Sequence, residues 1–200
     1  MRVLVACEFS ATVRDAFRIR GHDAWSCDLL PCEGDPAWHI QGDAIEAAYG
    51  QPWDLMIAHP PCTYLTSSGL HWNKRRPERA AQTEEALAFV LALANAPILR
   101  KVIENPIGCL STRWRKPDQI IQPYQFGHDA SKATCLWLYG VPLLAVTRYV
   151  EPRMVNGKPR WANQTDSGQN SLGPSDDRWK IRSATYPGIA NAMAAQWGTP

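Results

Sequence analysis

Of the six cysteines in this chain, Cys62 alone follows a double proline, in the run His59-Pro60-Pro61-Cys62. Further along, Glu104-Asn105 closes a short apolar run and is itself stopped by Pro106. A thiol on a stiff turn and a carboxyl group at a later strand end are the parts of covalent catalysis. One adds to an electrophilic carbon, and the other manages the proton and charge as it does so. Two prolines restrict the backbone before the sulfur and fix where it stands. Three more acids, Glu8, Asp28 and Asp43, also stand where apolar segments end.

The elements that must position these residues alternate along the first half of the chain. Arg2–Ala6 reads as a buried strand, and Ser10 as the cap of a helix carrying Val13, Ala16, Phe17 and Ile19 at helical spacing, ended by Gly21. Strands are expected at Asp23–Asp28, His39–Asp43, Asp54–Ala58 and Lys101–Glu104, with a helix over Glu84–Ala96. Such an order predicts an α/β fold: one Rossmann-like domain over residues 1–200, with a mostly parallel central sheet and helices on both faces. In such a sheet ligands bind at the carboxyl ends of the strands, where all five of these polar strand ends would gather. The second half is less regular. Cys135–Leu138 and Ala145–Val150 read as later strands, residues 151–177 as a long polar loop or lid, and Ile189–Trp197 as a last helix led by Pro187-Gly188.

Composition excludes little. Two hundred residues, 45% apolar, suit one globular domain. A formal net charge of +2 permits contact with nucleotide phosphates without demanding wrapped duplex DNA. No apolar run is long enough to span a bilayer, and the start Met1-Arg2-Val3-Leu4-Val5-Ala6 is too soon interrupted by Glu8 for a signal peptide, so a cytoplasmic location is expected. The cysteines show no Cys-x-x-Cys spacing, so no metal is expected and most thiols should be packed and reduced. Nine tryptophans fit core, lid or base-stacking roles alike.

Taken in order, these residues resemble the cytosine-C5 methyltransferases. Pro60-Pro61-Cys62-Thr63-Tyr64-Leu65-Thr66-Ser67-Ser68-Gly69 is similar to that family's nucleophile loop, and Glu104-Asn105 to its Glu-Asn-Val element, with Pro106 in place of Val. Glu8-Phe9-Ser10 resembles the opening of its cofactor loop, and Asp28 and Asp43 fall where the family places acids for the cofactor ribose and adenine. The resemblance covers most of residues 1–110. Beyond that, Arg148, Arg153 and the last helix stand in for a later basic strand and a cofactor-closing helix. It implies S-adenosyl-L-methionine as cofactor and Cys62, Glu104 and Arg148 as catalytic residues. It also implies a cofactor pocket lined by Phe9, Asp28, Asp43, Pro60 and Asn191. Glu104 would share a proton with the N3 and N4 edge of the ring, which calls for a carboxyl pKa raised by burial.

Two departures bear on substrate. The family's cofactor loop is glycine-rich, whereas Phe9-Ser10-Ala11-Thr12-Val13 has no glycine. Sequence-reading members carry a large recognition region, whereas 151–177 is too short for a domain. The expected partner is therefore a free cytosine nucleotide (dCMP), with Arg153, Lys158 or Arg160 meeting its phosphate. The alternatives are DNA with little sequence preference, or a non-catalytic nucleotide- or DNA-binding module of the same fold. Small chains of this kind also resemble bacteriophage proteins. Amino-methyltransferases flank a Pro-Pro with Asp, Asn or Ser before and an aromatic after; here the flanks are His59 and Cys62. His59, His128 and Lys132 sit in polar stretches to which the sequence assigns no role.

Overall fold

A computed structural model describes residues 1–199. In chain order the elements are β1 (Arg2–Ala6), α1 (Thr12–Arg18), β2 (Asp23–Asp28), β3 (His39–Gln41), α2 (Ala44–Gly50), β4 (Leu55–Ala58), α3 (Ser67–Leu70), α4 (Pro77–Ala94), β5 (Arg100–Pro106) and α5 (Leu110–Arg113). There follow β6 (Gln119–Ile121), β7 (Thr134–Tyr139), β8 (Arg153–Val155), β9 (Lys158–Arg160), α6 (Arg178–Ser183) and α7 (Pro187–Trp197).

Seven strands form one Rossmann-like sheet in the order β3-β2-β1-β4-β5-β7-β6. The first five are parallel; β7 runs antiparallel between β5 and β6. Successive side chains on a strand face opposite ways, and the core divides accordingly. Val3, Val5, Leu55, Ile57 and Val102 pack with Phe17 of α1 and with Met193 and Trp197 of α7. Leu4, Ala6, Met56, Ala58 and Ile103 pack with Ala47 and Ala48 of α2 and with Leu87, Val90 and Leu93 of α4. Burial on both faces is why these strands read as unbroken apolar runs.

The structure departs from the sequence reading in several places, four of which bear on the site and its surroundings. Helix α4 begins at Pro77, not Glu84, because Pro77 supplies a preset first turn with Glu78 beside it. Ser10 does not cap α1; the buried Glu8 carboxylate does, accepting from the amides of Val13 (2.7 Å) and Arg14 (3.1 Å). Residues 145–150 form no strand, since their neighbour is the turn at Pro123–Gln125. The Arg148 amide donates to Gln125 O and the Val150 amide to Tyr124 O. Segment 151–177 is more ordered than a plain loop. Asn156 (φ 50°) and Gly157 (φ 72°) turn β8 into β9, as a two-residue hairpin requires. Trp161 then stacks on Tyr124 at 4.2 Å, and Asn163 exchanges two hydrogen bonds with Ser131. No helix among the described residues is long and apolar enough to cross a membrane.

Candidate active site

Because β3, β2, β1, β4 and β5 are parallel neighbours, Asp43, Asp28, Glu8, His59 and Glu104 do come to one edge of the sheet. The Pro-Pro-Cys turn leaves β4 there. It is fastened to the end of β5 by several bonds. Buried Asn105 Nδ2 donates to Pro60 O at 2.8 Å, and the Cys109 amide donates to Leu65 O at 2.8 Å. Gly108 lies so close under Leu65 that a Cβ would collide with its carbonyl oxygen. Carbonyl O of Cys62 accepts from the amides of Leu65 and Thr66, so the sulfur sits at the head of a tight turn. On the other side, Arg79 of α4 donates to the carbonyls of Gly69 and Thr63.

Cys62 is half-buried and faces three charges. Burial first, then Glu104, push its thiol above the ordinary range; Lys132, its own backbone and Arg182 pull back without reversing this. Glu104 is thus close enough to Cys62 for its charge to act on the thiol. The state of Glu104 is the reverse of the expectation. Burial does press its pKa upward, but His59, Lys132 and Thr134 outweigh it and hold the carboxyl below its ordinary value. His59 Nδ1 lies 3.3 Å from Glu104 Oε2, and His59 Nε2 is buried with no partner among the described residues. Glu8, on the other side, is pushed up by burial despite His59 and the α1 amides. A cavity of about 10 Å³, room for one water, lies among Glu104, Lys132, Thr134, Thr185 and Tyr186.

The expected cofactor residues gather only in part. Asp28 and Asp43 both act on the thiol of Cys7, which burial above all, and then these acids, push upward. Asp28 is half-buried; one oxygen accepts from the Leu30 amide at 2.9 Å. Asp43 is exposed and caps α2, accepting from the amides of Ile45 and Glu46. Phe9 packs at 5.8 Å against Trp179 of α6, a helix absent from the sequence reading. The glycine-free loop nevertheless takes the left-handed backbone that glycine favours at Ala11 (φ 62°), as does Cys7 (φ 59°) just before it. Pro60 is buried under the nucleophile turn.

Two expected residues are not brought to the reacting groups by any contact. Asn191 is exposed on α7 and faces Arg20, which donates to its Oδ1 at 3.3 Å. Arg148 is exposed, its aliphatic stem over Gly127. The cations whose charge acts on Cys62 are Lys132 and Arg182. Lys132 Nζ donates to the carbonyls of Arg182 (2.7 Å) and Ala184 (3.3 Å), tying α6 to the end of β7. Only the polar run Gly127–Lys132 hinted at this residue. Among the described residues, no three His, Cys, Asp or Glu side chains come together as a metal-ligand set.

No protein-family model matches the chain, and no curated protein matches it in sequence. Among solved structures it is similar to one from E. coli, described as a provisionally assigned DNA modification methyltransferase encoded within a prophage. The identity is 12% and the TM-score 0.47, over 78% of this chain. The chain spans about half (53%) of that protein's length. A likeness this distant carries no argument about function.

Proposed function

We propose that this chain is an S-adenosyl-L-methionine-dependent cytosine C5-methyltransferase with Cys62 as nucleophile. The observation that carries the reading is the clamping of the Pro-Pro-Cys62 turn onto β5 by Asn105 and Gly108, which keeps the sulfur within the field of Glu104. Binding alone has no use for a nucleophile held against a carboxylate.

The chemistry assigns each group a task. C5 of cytosine is a weak nucleophile because its electrons belong to the ring. The Cys62 thiolate adds to C6, forming a C–S bond and leaving C5 enamine-like. A bound S-adenosyl-L-methionine would supply an electrophilic methyl group to that carbon. Loss of the C5 proton to water then expels the thiolate and restores the ring. Glu104, ionised in the free protein, accepts from the N4 amino group. As the pyrimidine excludes water from the carboxylate, its proton affinity climbs toward the value that sharing a proton at N3 requires. His59 orients Glu104 from behind.

The residues at the first three strand ends fit the cofactor. Asp28 has a carboxylate oxygen free for ribose hydroxyls, Asp43 stands beside it, and Phe9 offers a ring at the turn after β1. The amide-rich start of α1 is already filled by Glu8, so it is closed to the pyrophosphate of a dinucleotide. An adenosyl cofactor without phosphate meets no such conflict. The case for free dCMP is weaker than the sequence implied. Arg153 is paired with Asp166 at 2.6 Å, and Arg160 donates to the Asp166 carbonyl, so both are already engaged.

The test is incubation with methyl-labelled S-adenosyl-L-methionine and parallel pools of dCMP, single-stranded DNA and duplex DNA, followed by nucleoside analysis. Label in 5-methylcytosine is expected. Label in N4-methylcytosine would transfer the chain to the amino-methyltransferases. No label, with no cofactor binding by calorimetry, would leave a non-catalytic module.

A further inference from the structure

The net charge of +2 is not spread evenly. The run His71-Trp72-Asn73-Lys74-Arg75-Arg76-Pro77-Glu78-Arg79 carries four lysines and arginines and one acid, a formal +3 against +2 for the whole chain. Five arginines elsewhere are matched with acids, among them Arg113 with Glu84, Arg115 with Asp118 and Arg153 with Asp166. Among the described residues, no ion pair involves Lys74, Arg75, Arg76 or Arg79, and the first three side chains make no hydrogen bond. In their midst Trp72 leaves 39% of its surface open, with Arg76 5.0 Å and Arg75 5.9 Å from its ring centroid.

This patch is fixed to the nucleophile turn. Arg79 holds the carbonyls of Thr63 and Gly69, and Asn73 donates to Thr83, which donates to Tyr64 O. Unpaired cations follow a phosphate backbone, and an open indole edged by guanidiniums takes a base on its face. A single nucleotide has too few phosphates and bases to use both. A base whose ring face must meet Cys62 has to stand outside a helical stack, as bases in a single strand do already.

We infer that Trp72, Lys74, Arg75 and Arg76 form a binding surface for a single-stranded polynucleotide, which carries the target cytosine to the adjoining Cys62 turn. The inference deepens the proposed activity by naming its substrate as a strand. Its measurement needs neither cofactor nor turnover, so failure of the methyl-transfer reading would leave it standing.

Fluorescence anisotropy with a labelled oligodeoxynucleotide of roughly a dozen bases, within the span that such surfaces cover, tests it. Competitors are unlabelled strand, the matching duplex and dCMP. Strand should compete at least tenfold better than duplex, and dCMP negligibly. The triple variant K74Q/R75Q/R76Q should bind at least tenfold more weakly, with a salt slope shallower by about 0.7 for each phosphate no longer neutralised. W72A should weaken binding with the slope unchanged. Circular dichroism melts of the triple variant should match wild type, since those three side chains are exposed, and W72A should still melt cooperatively. No binding by wild type, equal competition by duplex, or variants that bind like wild type would each overturn the inference.

Discussion

His59 Nδ1 stands 3.3 Å from Glu104 Oε2, joining the residue that follows β4 to one near the end of β5. Both side chains are largely enclosed, 12% and 17% exposed, so the pair acts where water screens little. It explains why a carboxyl group that burial pushes upward still titrates below its ordinary value.

His59→Gln should therefore cost stability in a pH-dependent way. With its pKa depressed by folding, Glu104 contributes fully above the ordinary carboxylate value, and that contribution is lost as pH falls through the lowered one. Without the imidazole, burial is less opposed and Glu104 titrates higher. The variant should be less stable than wild type at neutral pH by about 1–2 kcal/mol, the scale of a weakened hydrogen bond to a charged group. The difference should shrink below the carboxylate range, as thermal melts across pH would read. A difference constant down to strongly acid pH would assign His59 a packing role only.

Gly108→Ala puts a methyl group against the Leu65 carbonyl in the turn that carries Cys62. The turn must shift, at a cost of about 1–3 kcal/mol. Methyl transfer should fall much further than stability, because a displaced nucleophile loses its alignment. Parallel melts and initial rates decide this, and a variant with unchanged rate would contradict the clamp.

What was legible in the sequence follows a physical line. The strands β1 and β2 were bounded correctly because buried apolar runs stop at polar residues. Cys62 and Glu104 could be nominated from sequence because a rigid turn and a strand-end acid are local features. Lys132 was not, because its place depends on β7 returning antiparallel beside β5, which no local pattern reveals. Helix α6 has no apolar stripe to announce it, and its Trp179 and Ile181 remain exposed. The β8–β9 hairpin could have been read from Asn156-Gly157, whose positive φ values suit that turn. The basic run at 71–79 was hidden by averaging charge over the whole chain.

Asp28 and Asp43 both follow strands, yet their substitutions should separate. Asp43→Ala removes the cap of α2 and should cost about 1 kcal/mol of stability. Asp28→Ala should leave stability nearly unchanged and weaken S-adenosyl-L-methionine binding by about 1–3 kcal/mol. Calorimetry beside thermal melts checks both. Equal cofactor affinity in Asp28→Ala and wild type would remove Asp28 from the pocket.

The raised thiol of Cys62 predicts slow alkylation by iodoacetamide at neutral pH, with a rate still climbing above the ordinary thiol value of about 8.5. Lys132→Met removes a cation that favours the thiolate, so the profile should move to higher pH. A fast, pH-independent reaction at neutral pH would mean that the thiolate is already formed.

The central claim is a covalent bond between Cys62 and C6 of the ring, and trapping that bond tests it most directly. A strand containing 5-fluorocytosine has no C5 proton to lose, so after methyl transfer the adduct cannot eliminate. Intact-protein mass spectrometry with S-adenosyl-L-methionine present should show one protein joined to one methylated strand, the link mapping to Cys62 and absent from Cys62→Ala. Cytosine methylation by Cys62→Ala at the wild-type rate, or an active wild type that forms no adduct, would contradict it.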